Sequence, residues 1–287
     1  MKTSPQSRRQ FIKSGVAATA AASILPLGST TLPLAARATD KASIKLGVAS
    51  YSLRKFNRQE AIEMTLAMHA KYINIKSFHL KHEESPAALK AGRKEIEAAG
   101  LKIVGGGTIS MKEDTDEAVR ANFEYARLCG MPLMVVAPRP EVVPRIEKFV
   151  KEYDIKVAIH NHGPEDKFFP APSDVLKVVD GMDPRIGCCV DVGHTARTGV
   201  DVIESIAEAG DRVLDMHMKD LSDMMDKSSQ VAVGEGKMPV AGIFKQLMQM
   251  NYQGYVNLEY EIFADDPLPG MKQSFAYMRG VLAGMTM

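Results

Sequence analysis

The chain has 287 residues, of which 36 are basic and 35 acidic, so its net charge at pH 7 is only +1. This near-neutral balance gives no whole-surface attraction for nucleic acid. Three cysteines in a chain of this length exclude a disulfide framework and favour buried, uncharged thiols.

The first 38 residues have the pattern of an export signal. A basic segment, SRRQFIK at residues 7–13, precedes a weakly apolar stretch rich in alanine, which ends at Ala36-Arg37-Ala38. The paired arginines followed by Phe and Lys resemble a twin-arginine signal, which predicts export to the periplasm or the cell exterior. The alternative is a short basic amphipathic helix that stays on the mature protein.

Removal of residues 1–38 would leave 31 basic and 35 acidic residues, a net charge of −4. The remaining residues, 39–287, have a length that suits one barrel domain. No run in them approaches the roughly 18–20 apolar residues that span a bilayer. We therefore expect no nucleic-acid partner and no membrane association after signal removal. Whether the protein forms a homo-oligomer stays open.

From Ile44 onward, strand patterns alternate with helical patterns. Strands are predicted at residues 44–50, 72–78, 101–108, 133–137, 156–161, 186–192, 213–218 and 255–259. Helices are predicted at 59–70, 86–99 and 116–129, from near Pro140, Pro172, Thr198 and Pro239, and from about 270 to 283. Eight even units favour a single (β/α)₈ TIM barrel over an open doubly wound sheet. The third strand ends in three glycines, which would let a ligand approach the backbone.

Polar residues end four successive predicted strands: His160, Asp191, His217 and Glu259. In a (β/α)₈ barrel the carboxyl ends of the strands meet at one face, where active sites are built. Two imidazoles and two carboxylates there predict a site for one divalent metal ion. This ligand set suits Mn²⁺, Co²⁺, Fe²⁺ or Zn²⁺ better than Ca²⁺.

Further polar residues near the same face are candidates for substrate binding. They are Lys76 and His79 after strand two, His162 after strand five, His194 after strand six, Lys219 after strand seven and Glu235 in the loop that follows. A surface or structural role is the alternative for each of them. No Gly-rich phosphate loop and no dinucleotide fingerprint is present, so no nucleotide cofactor is expected.

The order of these motifs resembles the xylose isomerase-like barrels, a family of sugar phosphate isomerases and epimerases. The motifs are Asn-His after strand five, Asp-x-Gly-His after strand six, His-x-Lys-Asp after strand seven, Gly-Glu-Gly in the next loop and a strand-eight Glu. The resemblance implies that Asp191, His217 and Glu259 are metal ligands. The fourth ligand of the family is usually Glu, and His160 stands in its place.

The resemblance implies a small-molecule carbohydrate substrate and proton transfer through an enediolate, with Glu259 and His160 as catalytic residues. Return of the proton to the opposite face gives epimerisation, return to the neighbouring carbon gives isomerisation, and loss of a β-substituent gives elimination. Export favours an unphosphorylated sugar or keto sugar. The alternatives are a lyase acting on an oxidised, 3-keto glycoside and a non-catalytic carbohydrate-binding barrel.

Overall fold

The computed structural model describes residues 44–285, and the predicted signal at residues 1–38 lies outside them. The strands, in chain order, are β1 (Lys45–Ala49), β2 (Tyr72–Ile75), β3 (Lys102–Met111), β4 (Leu133–Pro138), β5 (Lys156–His160), β6 (Ile186–Asp191), β7 (Val213–Met218), β8 (Asp220–Leu221), β9 (Gln230–Val231) and β10 (Tyr255–Leu258). Strands β1 to β7 and β10 are parallel and close into a barrel, whereas β8 and β9 form a separate antiparallel pair. The predicted TIM barrel is therefore confirmed.

Helices surround the barrel in the described part of the chain. They are α1 (Arg58–Ala67), α2 (Pro86–Ala98), α3 (Asp116–Cys129), α4 (Val143–Tyr153), α5 (Pro172–Val179), α6 (Val192–Arg197), α7 (Val202–Ala209), α8 (Val240–Gln249) and α9 (Leu268–Met285). Large side chains such as Phe123, Phe149 and Phe244 are fully buried in the hydrophobic core to which helices and strands contribute. None of these helices is long and apolar enough to cross a membrane.

Local sequence signals fix several helix ends. Thr115 caps α3 by accepting a hydrogen bond from the amide of Ala118, and Gly130 ends the helix with a φ of 70°. Asn57 and Glu60 form a capping box at the start of α1. These signals explain why the first three helices lie within a few residues of their predicted ranges.

The segment after β6 differs from the prediction, which placed one helix from near Thr198. The chain turns directly from Asp191 into the short helix α6, and α7 begins separately at Val202. The Asp191 side chain accepts from the amide of His194 and so acts as the N-cap of α6. Asp201 caps α7 in the same way. A residue at a strand end therefore also starts a helix.

The three glycines at 105–107 lie in the middle of β3, which continues to Met111 instead of ending at them as predicted. They serve the packing of the barrel. A Cβ atom at Gly107, whose φ is +117°, would collide with the carbonyl oxygen of Val135 in β4. A Cβ at Gly106 would collide with the side chain of Met131. Glycine is thus required by the close approach of neighbouring protein atoms, which is a different reason from the ligand approach that the sequence suggested.

The barrel register brings the four predicted strand ends together. Asp191 of β6 is the direct Cα partner of His217 of β7, and His160 of β5 is the Cα partner of Cys189 of β6. Glu259 follows β10, and its amide donates to the carbonyl of Met218, 2.9 Å away. These side chains therefore share the carboxyl-terminal end of the barrel.

Candidate metal centre

Four buried side chains converge at the carboxyl-terminal end of the barrel. His160, Asp191, His217 and Glu259 are each no more than 3% exposed, and one potential ligand atom from each lies within 4.8 Å of the others. His160 Nε2 lies 2.9 Å from His217 Nδ1 and 3.6 Å from Asp191 Oδ2. His217 Nδ1 lies 3.2 Å from Glu259 Oε2. Two nitrogens and two carboxylate oxygens therefore face a common point.

The charges at this point fit a cation. Burial alone would raise the pKa values of Asp191 and Glu259, but neighbouring histidines and Lys219 outweigh it and hold both pKa values below their usual ranges. Lys219 Nζ lies 2.9 Å from Asp191 Oδ2 and 3.2 Å from Glu259 Oε2. Two buried carboxylates with imidazole nitrogens beside them could hold a divalent metal ion.

The imidazole of His160 is available as a ligand at neutral pH. Burial, opposed by the hydrogen bond with Asp191, lowers its pKa well below the ordinary value, so the ring is neutral. Cys189 also lies near both histidines. Burial raises the pKa of its thiol well above the ordinary value, so the sulfur stays protonated. The donor set is therefore nitrogen and oxygen, without a thiolate.

A cavity of about 320 Å³ opens onto this cluster. It is lined by Tyr51, Lys76, Ser77, Phe78, Thr108, His160, His162, His194, Glu259 and Glu261. Of the four converging residues, only His160 and Glu259 line the cavity; Asp191 and His217 lie behind them. A molecule in the cavity would thus meet one imidazole and one carboxylate of the cluster.

Four of the six predicted substrate-binding residues lie at the cluster or its cavity. Lys76 Nζ donates to Thr108 Oγ1 at 3.1 Å and lies 3.7 Å from Glu259 Oε1. Burial lowers the pKa of Lys76, although Glu259 acts in the opposite direction. Lys219 contacts the two carboxylates as described above, and His162 and His194 form part of the cavity wall.

The other two predicted residues lie elsewhere. His79 is buried, with Nδ1 3.0 Å from Ser50 Oγ and Nε2 3.2 Å from the carbonyl of Leu53, so it ties the chain after β1 to that after β2. Glu235 is exposed and accepts a hydrogen bond from Gln273 of α9. The structure therefore does not bring these two side chains to the cavity, because local contacts hold them away from it.

Two residues near the cluster were not predicted from the sequence. Asp215 lies beneath the site, accepts hydrogen bonds from Asn74 and Asn257 at 2.9 and 2.8 Å, and has Oδ2 4.0 Å from His217 Nε2. Its signal was the two-residue spacing from His217, which places both side chains on one face of β7. Arg197, three residues after His194, is also buried. Its helical spacing became visible only once α6 was known.

The sequence of residues 60–281 matches the model of a known protein family, described as the xylose isomerase-like TIM barrel. The chain belongs to this family. No curated protein matches the sequence of this xylose isomerase-like barrel.

Solved structures resemble the barrel in fold. A protein from Parabacteroides distasonis, described as putative and uncharacterised, is 25% identical, with 83% of this chain and 99% of the other covered and a TM-score of 0.66. A D-psicose 3-epimerase is 17% identical, with coverage of 83% and 99% and a TM-score of 0.68. An IolI protein with a bound zinc atom is 15% identical, with coverage of 82% and 98% and a TM-score of 0.66.

We expect Lys219→Met to destabilise the metal-free barrel by about 3–5 kcal/mol, because Asp191 and Glu259 would lose their buried counter-charge. A divalent metal ion should restore part of this loss. Urea unfolding with and without a chelator measures both effects. Lys148→Met, at an exposed lysine, is the control and should change stability by less than about 1 kcal/mol. Equal stability of the two variants would contradict the expectation.

Asp215 should make the stability of the metal-free barrel depend on pH. Burial raises its pKa to about 7, although His217 acts in the opposite direction. Between about pH 4 and 7 the folded chain therefore keeps a proton on this carboxyl group that the unfolded chain has already released. The free energy of unfolding falls as the pH rises through this window.

We expect Asp215→Asn to gain stability relative to the parent by roughly 1.4 kcal/mol per pH unit from pH 5 to 7. Chemical unfolding of both proteins in the presence of a chelator measures this difference. Parallel pH profiles of the two proteins would show that Asp215 does not carry the proton.

Proposed function

We propose that the xylose isomerase-like barrel is a divalent-metal-dependent sugar isomerase or epimerase that acts through an enediolate on an unphosphorylated sugar or keto sugar. The single observation that carries this proposal is the position of Glu259. One of its carboxylate oxygens faces His217 and Lys219, and the other faces Lys76 at the cavity. The same carboxylate can therefore serve the metal site and accept a proton from a molecule in the cavity.

The chain's own residues supply the proton-transfer chemistry. Glu259 is held as a carboxylate by its positive neighbours, so it can remove a proton from a carbon next to a carbonyl group. Lys76, which lines the cavity beside it, can donate a hydrogen bond to a substrate oxygen. A divalent ion in the cluster would stabilise negative charge on two adjacent substrate oxygens. His160, neutral and on the cavity wall, is the candidate for the returning proton.

Elimination from an oxidised glycoside is the second candidate reaction. The similarity to the D-psicose 3-epimerase supports the first candidate, an isomerase or epimerase, only through the shared fold. However, because position 160 is a histidine, the cluster contributes only one carboxylate to the cavity wall, that of Glu259, instead of two. Elimination needs one base beside the carbonyl group and a donor to the leaving group. Glu259 and a cavity histidine such as His162 or His194 meet that requirement.

Export also bears on the substrate. We propose that residues 1–38 direct the protein out of the cytoplasm by the twin-arginine route, which would place the barrel among unphosphorylated sugars. Fusion of this segment to a reporter tests the proposal. Export that is lost when Arg8 and Arg9 are replaced by lysine would support it, and a cytoplasmic reporter would oppose it.

Proton exchange in deuterated water tests the proposed function. The metal-loaded barrel is incubated with free ketoses, keto sugars and 3-keto glycosides, and NMR follows deuterium at the carbon next to the carbonyl group. A new epimer or isomer carrying deuterium supports the first candidate, and release of the leaving group supports the second. Sugar binding without exchange or product would favour a non-catalytic carbohydrate-binding barrel.

His160→Glu tests whether the histidine directs the reaction. The variant restores the residue usual in the family at this position, and it adds a second carboxylate to the cavity wall. We expect it to epimerise a free ketose at least about tenfold faster than the parent, since general acid–base groups contribute about 10²–10⁴-fold. His82→Glu, at an exposed histidine, is the control. Unchanged rates and substrate range would contradict the expectation.

A further inference from the structure

A buried arginine lies behind the histidine of the Asp-x-Gly-His motif. Arg197, at the end of α6, is only 5% exposed. Its Nη2 lies 2.8 Å from His194 Nδ1, and its Nη1 lies 2.5 Å from Glu165 Oε1. Gly163 leaves the space that the guanidinium fills, because a Cβ atom there would lie 2.6 Å from Nη2. The arginine is therefore held in one place beside the imidazole.

The chemistry of this contact determines where the imidazole carries its proton. A guanidinium has five N–H donors and no acceptor, and it stays charged in proteins. In the contact with Arg197, His194 Nδ1 must therefore be the acceptor. A neutral ring whose Nδ1 accepts carries its only proton on Nε2. Because an imidazolium would carry a proton on both nitrogens, a ring whose Nδ1 accepts from Arg197 is neutral.

The other nitrogen of His194 faces the candidate metal centre. His194 Nε2 lies 4.0 Å from Asp191 Oδ2, and the ring forms part of the cavity wall. The backbone amide of His194 also donates to Asp191 Oδ1 at 2.8 Å. The backbone of His194 is thus held by Asp191 at the start of α6, and its ring is held by Arg197 at the end of the helix.

We propose that Arg197 is a positioning residue that holds His194 as the Nε2–H tautomer, which makes His194 a neutral hydrogen-bond donor to a substrate oxygen. His194 then acts neither as the base nor as a metal ligand. This role rests on the proposed function, because a fixed donor is useful where negative charge develops on an oxygen during proton removal. The tautomer itself is independent of which reaction takes place.

Nitrogen-15 NMR of the zinc-loaded protein tests the tautomer directly. The chain is labelled with ¹⁵N-histidine, and the resonances of His194 are assigned by their loss in His194→Gln. At pH 7.5 we expect Nε2 to carry the proton and Nδ1 to carry none. A proton on Nδ1, or a ring nitrogen bound to zinc, would overturn the proposal even if the protein proved to be an enzyme.

Variants of Arg197 separate positioning from mere support of the fold. Arg197→Met removes the donor and should give a mixture of tautomers, whereas Arg197→Lys, which can still donate, should restore the Nε2–H form in part. Glu165→Gln changes the other partner of the guanidinium and should leave the tautomer unchanged. The parent tautomer kept in a folded Arg197→Met protein would overturn the role of Arg197.

Kinetics provide the functional readout once a substrate is known. Loss of one donor to a developing negative charge costs about 10²–10³-fold in kcat. Arg197→Met should lower kcat by up to this amount, with KM and metal content changed far less. An equal loss in kcat and metal content would assign Arg197 to support of the metal site and overturn the proposal. Absence of activity in the parent would instead count against the proposed function, and the NMR result would stand.

Discussion

Replacement of His217 by alanine is expected to remove bound metal and all metal-dependent activity while leaving the barrel folded. The imidazole is fully buried and supplies one of two nitrogens to the cluster. Loss of a supporting contact already weakens metal sites by about 10–100-fold, and loss of a ligand should exceed that. Metal content after gel filtration and titration with Zn²⁺ or Mn²⁺ measure the effect.

Asp191 provides a second test of the same site with a matched pair of variants. Asp191→Ala should also abolish metal binding, but it removes the N-cap of α6, which costs about 1 kcal/mol. Asp191→Asn keeps a cap acceptor and removes the charge, so a loss of metal in this variant reports on the ligand alone. His82→Ala, at an exposed histidine, should bind metal as the parent does. Full metal content in both His217→Ala and Asp191→Asn would exclude the proposed centre.

Glu259→Gln is expected to lower kcat by about 10²–10⁴-fold, the range that a general base contributes. The amide has nearly the shape of the carboxylate but cannot accept the substrate proton. Since His160, Asp191 and His217 remain, the variant should retain most of its metal when the ion is in excess. Deuterium exchange into the substrate, followed by NMR, isolates the proton-removal step from later ones.

The control for this variant is the neighbouring carboxylate. Glu261 also lines the cavity and lies 3.3 Å from Lys219 Nζ, but its side chain is 37% exposed. Glu261→Gln should change kcat by less than about tenfold, since an exposed carboxylate makes a weaker electrostatic contribution. If both substitutions reduced exchange to the same extent, Glu259 would not be the specific base.

Much of the fold follows from the sequence because strand and helix patterns alternate so regularly. The eight barrel strands were predicted close to their observed bounds, and the closed sheet follows from eight even units. The pair β8 and β9 was missed because two-residue strands carry no periodic signal. The Asp220 side chain holds the segment around β8 and β9 in place. It accepts hydrogen bonds from the backbone amides of Leu221, Gly234, Gly236 and Met238.

The candidate site was predictable where its residues end strands. His160, Asp191, His217 and Glu259 meet because parallel strands of a barrel point their carboxyl ends the same way. Loop residues were harder to place: Glu235 turns outward to Gln273, and no pattern in a loop specifies that direction. The orientation of Lys219 depends on two carboxylates that lie 28 and 40 residues away, Asp191 and Glu259, which local sequence does not encode.

Elemental analysis of the purified, unstripped protein is the most direct test of the four-residue metal centre. We expect about one equivalent of a divalent transition metal per chain, since one cluster of four ligands is available in the described residues. Its loss in His217→Ala would assign the ion to this cluster. A protein that contains no metal and takes up none when Mn²⁺, Co²⁺, Fe²⁺ or Zn²⁺ is added would exclude a metal centre at this cluster.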